Sequence, residues 1–158
     1  MAGEIMSELP KGWDIVPLKE IAVSIKGKKP KILSGVNTKG TVPYIDIKAF
    51  EKGEIRQYAD INSSNIAGKE DVLVVWDGAR SGLVGIGQEG AIGSTILAIK
   101  QFCISSKYLY QFLKTKYEYI NTNHRGTGIP HVDPEVFWNI EFPIPPLNEQ
   151  RRIVAMFQ

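Results

Sequence analysis

Arg80 and Ser81 stand in WDGARSG, residues 76–82, a glycine-flanked stretch directly after the apolar run DVLVVW at 71–76. A buried strand ending in a polar turn offers side chains from a rigid base, the usual setting for recognition groups. An arginine on such a tip can meet a guanine edge through two parallel N–H groups, or a phosphate. It can equally be a solvated residue on a structural hairpin. Arg125, Thr127 and His131 in HRGTGIPHV, 124–132, have the same character. Small polar groups on glycine backbone suit close approach to a ligand, and suit an ordinary helix-to-strand connection as well. The third candidate is KGKKPK at 26–31, where Lys26, Lys28, Lys29 and Lys31 share a Gly- and Pro-bearing loop. Phosphate contact and a merely solvated loop both fit it.

Other chemistries fail on context. GIGQEG at 85–90 spells the dinucleotide fingerprint, but that motif needs a helix opening at its end and an acid about 20 residues on. Here AIGSTILAIK reads as strand and positions 107–113 hold no Asp or Glu. His124, His131 and the lone Cys103 cannot build a three- or four-ligand zinc site without carboxylates at unusual spacing. Ser81 or Ser94 with His131 and Asp133 makes a Ser-His-Asp set on paper only, since the G-x-S-x-G elbow is absent. No catalytic or metal-ligating residue is assigned.

The elements that must position these loops are short. A length of 158 residues with 43% hydrophobic content supports one domain with its own core. WDIVPLKEIAVSI predicts a short strand and then a helix over 17–25, opened by Pro17, with Leu18, Ile21, Ala22 and Ile25 at helical spacing. VPYIDIKAF alternates as a strand, and DVLVVW is a buried-strand run. Glycines at 78, 82, 85, 87, 90 and 93 then punctuate LVGIG and STILAIKQF, predicting a tight meander of hairpins. SSKYLYQFLKTKYEYI predicts a helix capped by Ser105 or Ser106, its stripe of Tyr108, Leu109, Phe112, Leu113 and Ile120 facing the core. EVFWNIEFPIPP reads as a strand in which Pro143 marks an edge or an end. The expected class is α/β of the α+β kind: a twisted, mostly antiparallel β meander flanked by short helices. A final helix begins at Leu147, with Ile153, Val154 and Phe157 continuing its apolar stripe.

The net charge of +2 is unevenly spread. Residues 11–40 hold seven lysines against Asp14 and Glu20, an excess of +5 that leaves −3 elsewhere. No apolar run approaches the roughly 18 residues of a membrane span, and MAGEIMSELPKGW has neither the basic nor the apolar region of a signal peptide. One cysteine allows no internal disulfide, so a cytoplasmic chain is expected, with Cys103 a small buried hydrophobe between Phe102 and Ile104.

Four stretches in order resemble the target recognition domain of the specificity (S) subunit of type I restriction-modification enzymes. LPKGWDIVPLKEI at 9–21 resembles its opening, and DVLVVWDGARSGLVGI with GAIGSTILAIK resembles its central meander. GTGIPHVDPEVFWNIEFPIPPLNEQRRIV at 126–154 resembles its close, PPLxEQxxIV being the most specific piece. The resemblance implies a non-catalytic reader of one half of a split double-stranded DNA target. It also implies modification subunits that hold S-adenosylmethionine, restriction subunits that hydrolyse ATP, and spacer helices that act as a ruler between two recognition domains. Residues 9–145 would then be the recognition domain and 146–158 the beginning of the spacer helix, through which it could pair with a second domain. MAGEIMSELPKGW reads as a chain start, which makes this the first recognition domain of a longer subunit.

On this reading the chain itself needs no cofactor. It carries neither a PPY methyltransferase signature nor a G-x-x-x-x-G-K-[ST] loop. Recognition residues differ with target and do not transfer by motif. Lys26, Lys28, Lys29 and Lys31 are therefore expected at phosphates, and Arg80, Ser81, Arg125 and Thr127 in the groove, from residue type and loop position. A recognition domain of a single-chain methyltransferase-endonuclease fusion, a self-contained methyltransferase and a protein-interaction module without DNA affinity are the alternatives.

Overall fold

In the computed structural model, which describes residues 9–158, both strands and helices are short, the longest helix, Ser106–Thr115, having 10 residues. Residues 1–8, part of the stretch read as a chain start, lie outside the described residues. The first strands are β1 (Asp14–Pro17), β2 (Ala22–Lys26), β3 (Leu33–Ser34) and β4 (Thr41–Ile45), followed by helix α1 (Ile47–Lys52). Then come β5 (Tyr58–Asp60), β6 (Ile66–Ala67), β7 (Val72–Val75), β8 (Val84–Ile86), β9 (Gly90–Ile92) and β10 (Ile96–Gln101). Helices α2 (Ser106–Thr115) and α3 (Tyr117–Thr122), strands β11 (His124–Arg125) and β12 (His131–Val132), α4 (Pro134–Trp138), β13 (Glu141–Ile144) and α5 (Leu147–Ala155) complete the order.

Every side chain of β7 is buried because both faces of its sheet are covered. That sheet runs β2-β10-β7-β8, antiparallel throughout. Val72 and Val74, opposite Ile99 and Leu97, face one way. They join Leu18, Leu109, Leu113, Phe137 and Phe142 in the larger core. Leu73 and Val75, opposite Ala98 and Ile96, face the other way into a second core with Ile45, Phe50 and Ile92. Two-sided burial explains why the run is continuously apolar rather than alternating, each Leu or Ile contributing about 1.5–3 kcal/mol.

The second sheet, β3-β5-β4-β9-β6, is antiparallel except where β4 and β9 run parallel. The meander therefore holds only in part. β7 and β8 form a hairpin, but the chain then crosses from one sheet to the other through Gly87 and reaches β9. Gly90 makes the arrival possible, since a Cβ there would lie 2.3 Å from the Pro43 carbonyl oxygen. The glycines of GIGQEG thus serve a sheet crossing.

Two expected elements change type. The helix over 17–25 is a single 3-10 turn, Leu18–Glu20, followed by strand β2. Val23 and Ile25 are β-branched and favour strand, and pairing of Ala22–Lys26 with β10 satisfies the backbone in a way that overrides the helical spacing. Conversely, PEVFW is helix α4 rather than strand. Asp133 accepts hydrogen bonds from the Glu135 and Val136 amides, and Pro134 sits at the first turn. Strand β4 likewise stops at Ile45, because Asp46 caps α1 by accepting from Ala49 N at 2.8 Å.

Helix α2 forms as its stripe requires, capped by Ser105, whose hydroxyl accepts from Tyr108 N. It breaks at Lys116, and α3 carries on to bury Ile120. Burial pushes the Tyr108 phenol up to about 12, so it stays a neutral donor, 2.8 Å from the Pro143 carbonyl on β13. Among the described residues β13 pairs only with β1, which leaves Pro143 on the edge position it tolerates. Cys103 is exposed on a turn after β10, with φ 55°, so the expected buried hydrophobe is corrected. Strand β10 ends at Gln101, and the apolar residues around Cys103 flank a bend instead of continuing into the core.

Helix α5 rests on α2. Gln150 is buried and joins the two, its Oε1 accepting from Ser105 N at 2.9 Å and its Nε2 donating to the Pro145 carbonyl at 3.0 Å. Val154 enters the larger core, whereas Leu147, Met156 and Phe157 are exposed. The apolar stripe is thus split between two surroundings.

Candidate nucleic-acid interface

The β7–β8 hairpin is held from inside. Gly82 N donates to Val75 O and Val75 N to Leu83 O, both at 2.8 Å. Asn121 Nδ2 from α3 reaches the carbonyls of Ala79 at 3.0 Å and Ser81 at 2.9 Å. At its base the Trp76 ring meets Phe137 of α4 edge-on, centroids 5.3 Å apart. The tip is therefore stiff before any ligand arrives.

Arg80 projects from this tip with its side chain 63% exposed, and its Nη1 lies 2.5 Å from Glu51 Oε1 on α1. Ser81 does not accompany it. That residue is fully buried, its Oγ without a protein partner among the described residues, so the expected groove contact from Ser81 is corrected. The tight turn between Gly78 and Gly82 rotates Ser81 inward under α3.

The lysine segment is more ordered than its composition implied. Lys26 belongs to β2, and its Nζ pairs with Asp77 Oδ2 at 2.7 Å, a partner supplied by the hairpin. Beyond it, Gly27 N donates to Ile96 O at 2.8 Å, Lys28 N to Ile92 O at 3.1 Å and Lys31 N to Ser63 Oγ at 2.8 Å. The backbone is pinned, while Lys28, Lys29 and Lys31 are exposed and make no ion pair with any described residue.

Strands β11 and β12 close the third loop against the hairpin. Val132 N donates to Trp76 O and Gly78 N to Pro130 O, each at 2.8 Å, and Asp77 bridges to His131. Arg125 Nε lies 3.0 Å from Asp133 Oδ2, and its Nη2 3.6 Å from Glu135 Oε2. Partial desolvation pushes the Asp133 carboxyl up, but Arg125 and the Glu135 and Val136 amides together outweigh it, leaving the group below the ordinary carboxylate value. Thr127 is exposed at the loop's crest, near Ile129, which is 76% exposed.

One short turn links the three. The segment from Ile92 to Ile96 accepts hydrogen bonds from Gly27 and Lys28 on one side and from Trp76 on the other, through Thr95 O at 2.7 Å. Residues 26–28, 92–96, 76–78 and 130–132 thus lie side by side. Lysine loop, arginine hairpin and glycine loop converge although they are far apart in the chain. Glu51, Asp77, Asn121 and Asp133 organise this face, and none was singled out as an organiser from sequence. Only Asp133 carried a readable signal, the Asp-Pro pair of a helix start.

Among the described residues no group of three or more His, Cys, Asp or Glu could hold a metal ion, and no helix is long and apolar enough to cross a membrane. An exposed face with clustered cations on stiff loops can exchange hydrogen bonds with a polyanion and with planar polar edges.

The family described as the type I restriction modification DNA specificity domain matches residues 10–158. Over 151 residues the chain is 34% identical to the type I restriction enzyme MjaVIII specificity subunit of Methanocaldococcus jannaschii, covering 94% of this chain and 36% of that protein. The crystal structure of the HsdS subunit from Thermoanaerobacter tengcongensis superposes with a TM-score of 0.74 at 25% identity, over 94% of this chain and 37% of that one. A chain from a type I R-M system, solved to explain complex assembly and conformational transition, gives a TM-score of 0.78 at 24% identity, over 94% and 38% respectively. The chain spans little more than a third of the length of these relatives.

Proposed function

The chain belongs to the type I restriction modification DNA specificity domain family, and on that premise we propose that it reads one half of a bipartite double-stranded DNA target for a type I restriction-modification complex. The observation that carries this reading is the backbone chain of contacts that runs from the lysine segment through residues 92–96 to the arginine hairpin, and from the hairpin to the glycine loop. DNA recognition needs contacts that position and contacts that specify. Lys28, Lys29 and Lys31, without acid partners, suit phosphates. Arg80, on a stiff exposed tip, suits a base edge in the major groove. Thr127 is exposed on the neighbouring glycine loop, while Arg125 is turned to Asp133 of its own loop.

The chemistry of modification and cleavage belongs, in this reading, to partner subunits. Modification subunits hold S-adenosylmethionine and methylate, and restriction subunits hydrolyse ATP and cleave. This chain supplies sequence choice and no catalytic group. The exposed Leu147, Met156 and Phe157 of the last helix and the turn after it suit pairing with a second spacer helix.

Exchange of residues 9–145 for the corresponding stretch of a relative, followed by mapping of methylated sites in a host genome, tests the proposal. Replacement of one half of the methylated motif, with the other half and the spacing kept, is the expected result. An unchanged motif with methylation intact removes this chain from DNA reading.

A further inference from the structure

We propose that Glu51 is a positioning residue, fixing which edge of the Arg80 guanidinium faces the DNA. The proposal deepens the DNA-reading function and rests on it. A guanidinium carries five N–H donors, and its Nε and Nη2 form a side fork that matches the paired acceptors N7 and O6 of guanine. Glu51 Oε1 pairs most closely with Nη1, at 2.5 Å. Nε and Nη2 of Arg80 make no hydrogen bond to a described residue, and the side chain is 63% exposed.

The other ion-paired arginines are held the opposite way. Arg125 turns Nε to Asp133 at 3.0 Å, while its Nη2 stays 3.6 Å from the exposed Glu135, so its side fork is engaged at Nε. Arg152 gives the same two atoms to Glu149, its nearer contact being through Nη2. Among the three, Arg80 alone keeps the fork clear.

Glu51 is itself firmly based. Helix α1 is capped by Asp46, ends on Gly53 with φ 71°, and buries Phe50 in the second core. Gly85 of β8 packs against the Phe50 ring so closely that a Cβ would lie 2.6 Å away, and Gln88 Nε2 donates to Phe50 O at 3.0 Å. The carboxylate is also the less exposed partner, 23% against 63%. Arg80 is thus pulled toward a fixed point. The same carboxylate reduces the attraction of Arg80 for phosphate, which favours an uncharged base edge over the backbone.

The test uses the native complex that carries this chain and a pool of randomised double-stranded oligonucleotides, sequencing the bound fraction to obtain a base-preference profile. The variants are Glu51→Ala, Glu51→Gln, Arg80→Ala and Glu51→Ala with Arg80→Ala. In Glu51→Ala, preference at one base pair is expected to fall about tenfold. The salt dependence of total binding should steepen by about one unit as the released guanidinium turns to phosphate. Glu51→Gln keeps an oxygen for Nη1 and should retain most of the preference, and the double variant should be no worse at that position than Arg80→Ala. If Arg80→Ala erodes the preference and Glu51→Ala does not, the positioning role is overturned while DNA reading by Arg80 stands. Equal erosion by Glu51→Ala with and without Arg80 also overturns it. A profile unaffected by Arg80→Ala defeats the assignment of Arg80 and that of Glu51 together, and a wild-type complex with no sequence preference defeats the underlying function.

Discussion

Arg80 and Arg125 sit on loops that lean on one another through Gly78 and Pro130, yet the two arginines are engaged differently. The hairpin is braced by its backbone: Asn121 binds two of its carbonyls, and the guanidinium has a single acid beside it. The glycine loop also has backbone bonds, through β11–β12 pairing and to Trp76 and Gly78, but its arginine turns Nε to Asp133, with Glu135 farther off. With a single acid nearest Nη1, most of Arg80 is left available. With Nε turned to Asp133, less of Arg125 remains for a ligand. Residue type and loop position made the two look equivalent, and the neighbouring carboxylates distinguish them.

The largest effect that would break this contrast is on DNA affinity. Arg80→Ala should cost about 1–3 kcal/mol on cognate DNA and relax one position. Arg125→Ala should cost about 0.5 kcal/mol or less, evenly across sequences, as for other exposed ion pairs. Titration of cognate and scrambled duplexes measures both, and equal losses for the two arginines would erase the distinction.

A smaller effect is expected on stability. Asn121→Ala leaves the Ala79 and Ser81 carbonyls without their donor, for a loss of about 1–2 kcal/mol in urea unfolding. Exchange of the 79–82 amides should quicken more than that of 124–128. Quickening confined to 124–128 would show the hairpin to be held by something else.

The smallest effect is one of pH. The Asp133 carboxyl lies below its ordinary value of 3.8 in the folded chain, so its contribution is complete above that value and is lost as pH falls through the lower, folded value. Loosening of residues 124–134 should therefore begin only below about pH 4, ahead of the hairpin, in amide-proton spectra recorded on acidification. Simultaneous loss of both loops would mean that they share one support.

Much of the scaffold was readable where one periodicity dominated. The run at 71–76 and the stripe from Tyr108 to Ile120 allow one good solution each, and the chain adopts it. Residues 17–25 satisfied two periods at once, and only pairing with β10 decides between them. Residues 134–138 were misread although Asp133-Pro134 announced a helix, because the aromatic alternation that follows resembles a strand. The recognition loops were legible from their glycines. Their acid partners were not, since Lys26 and Asp77 stand 51 positions apart and nothing local links them. Ser81 shows the same limit: a small polar residue in a tight turn points inward or outward according to a fold that lies elsewhere in the chain.

Strand β1 lies antiparallel to β13, with Asp14 beside Ile144 and Pro17 beside Glu141. The polypeptide therefore enters and leaves the domain on adjacent strands, about 4.8 Å apart. An insert exchanged between those strands leaves the flanking chain in place only if it also supplies the Ser105 amide and the α2 surface on which α5 rests. A domain closed this way can vary its intervening loops while its two ends remain side by side.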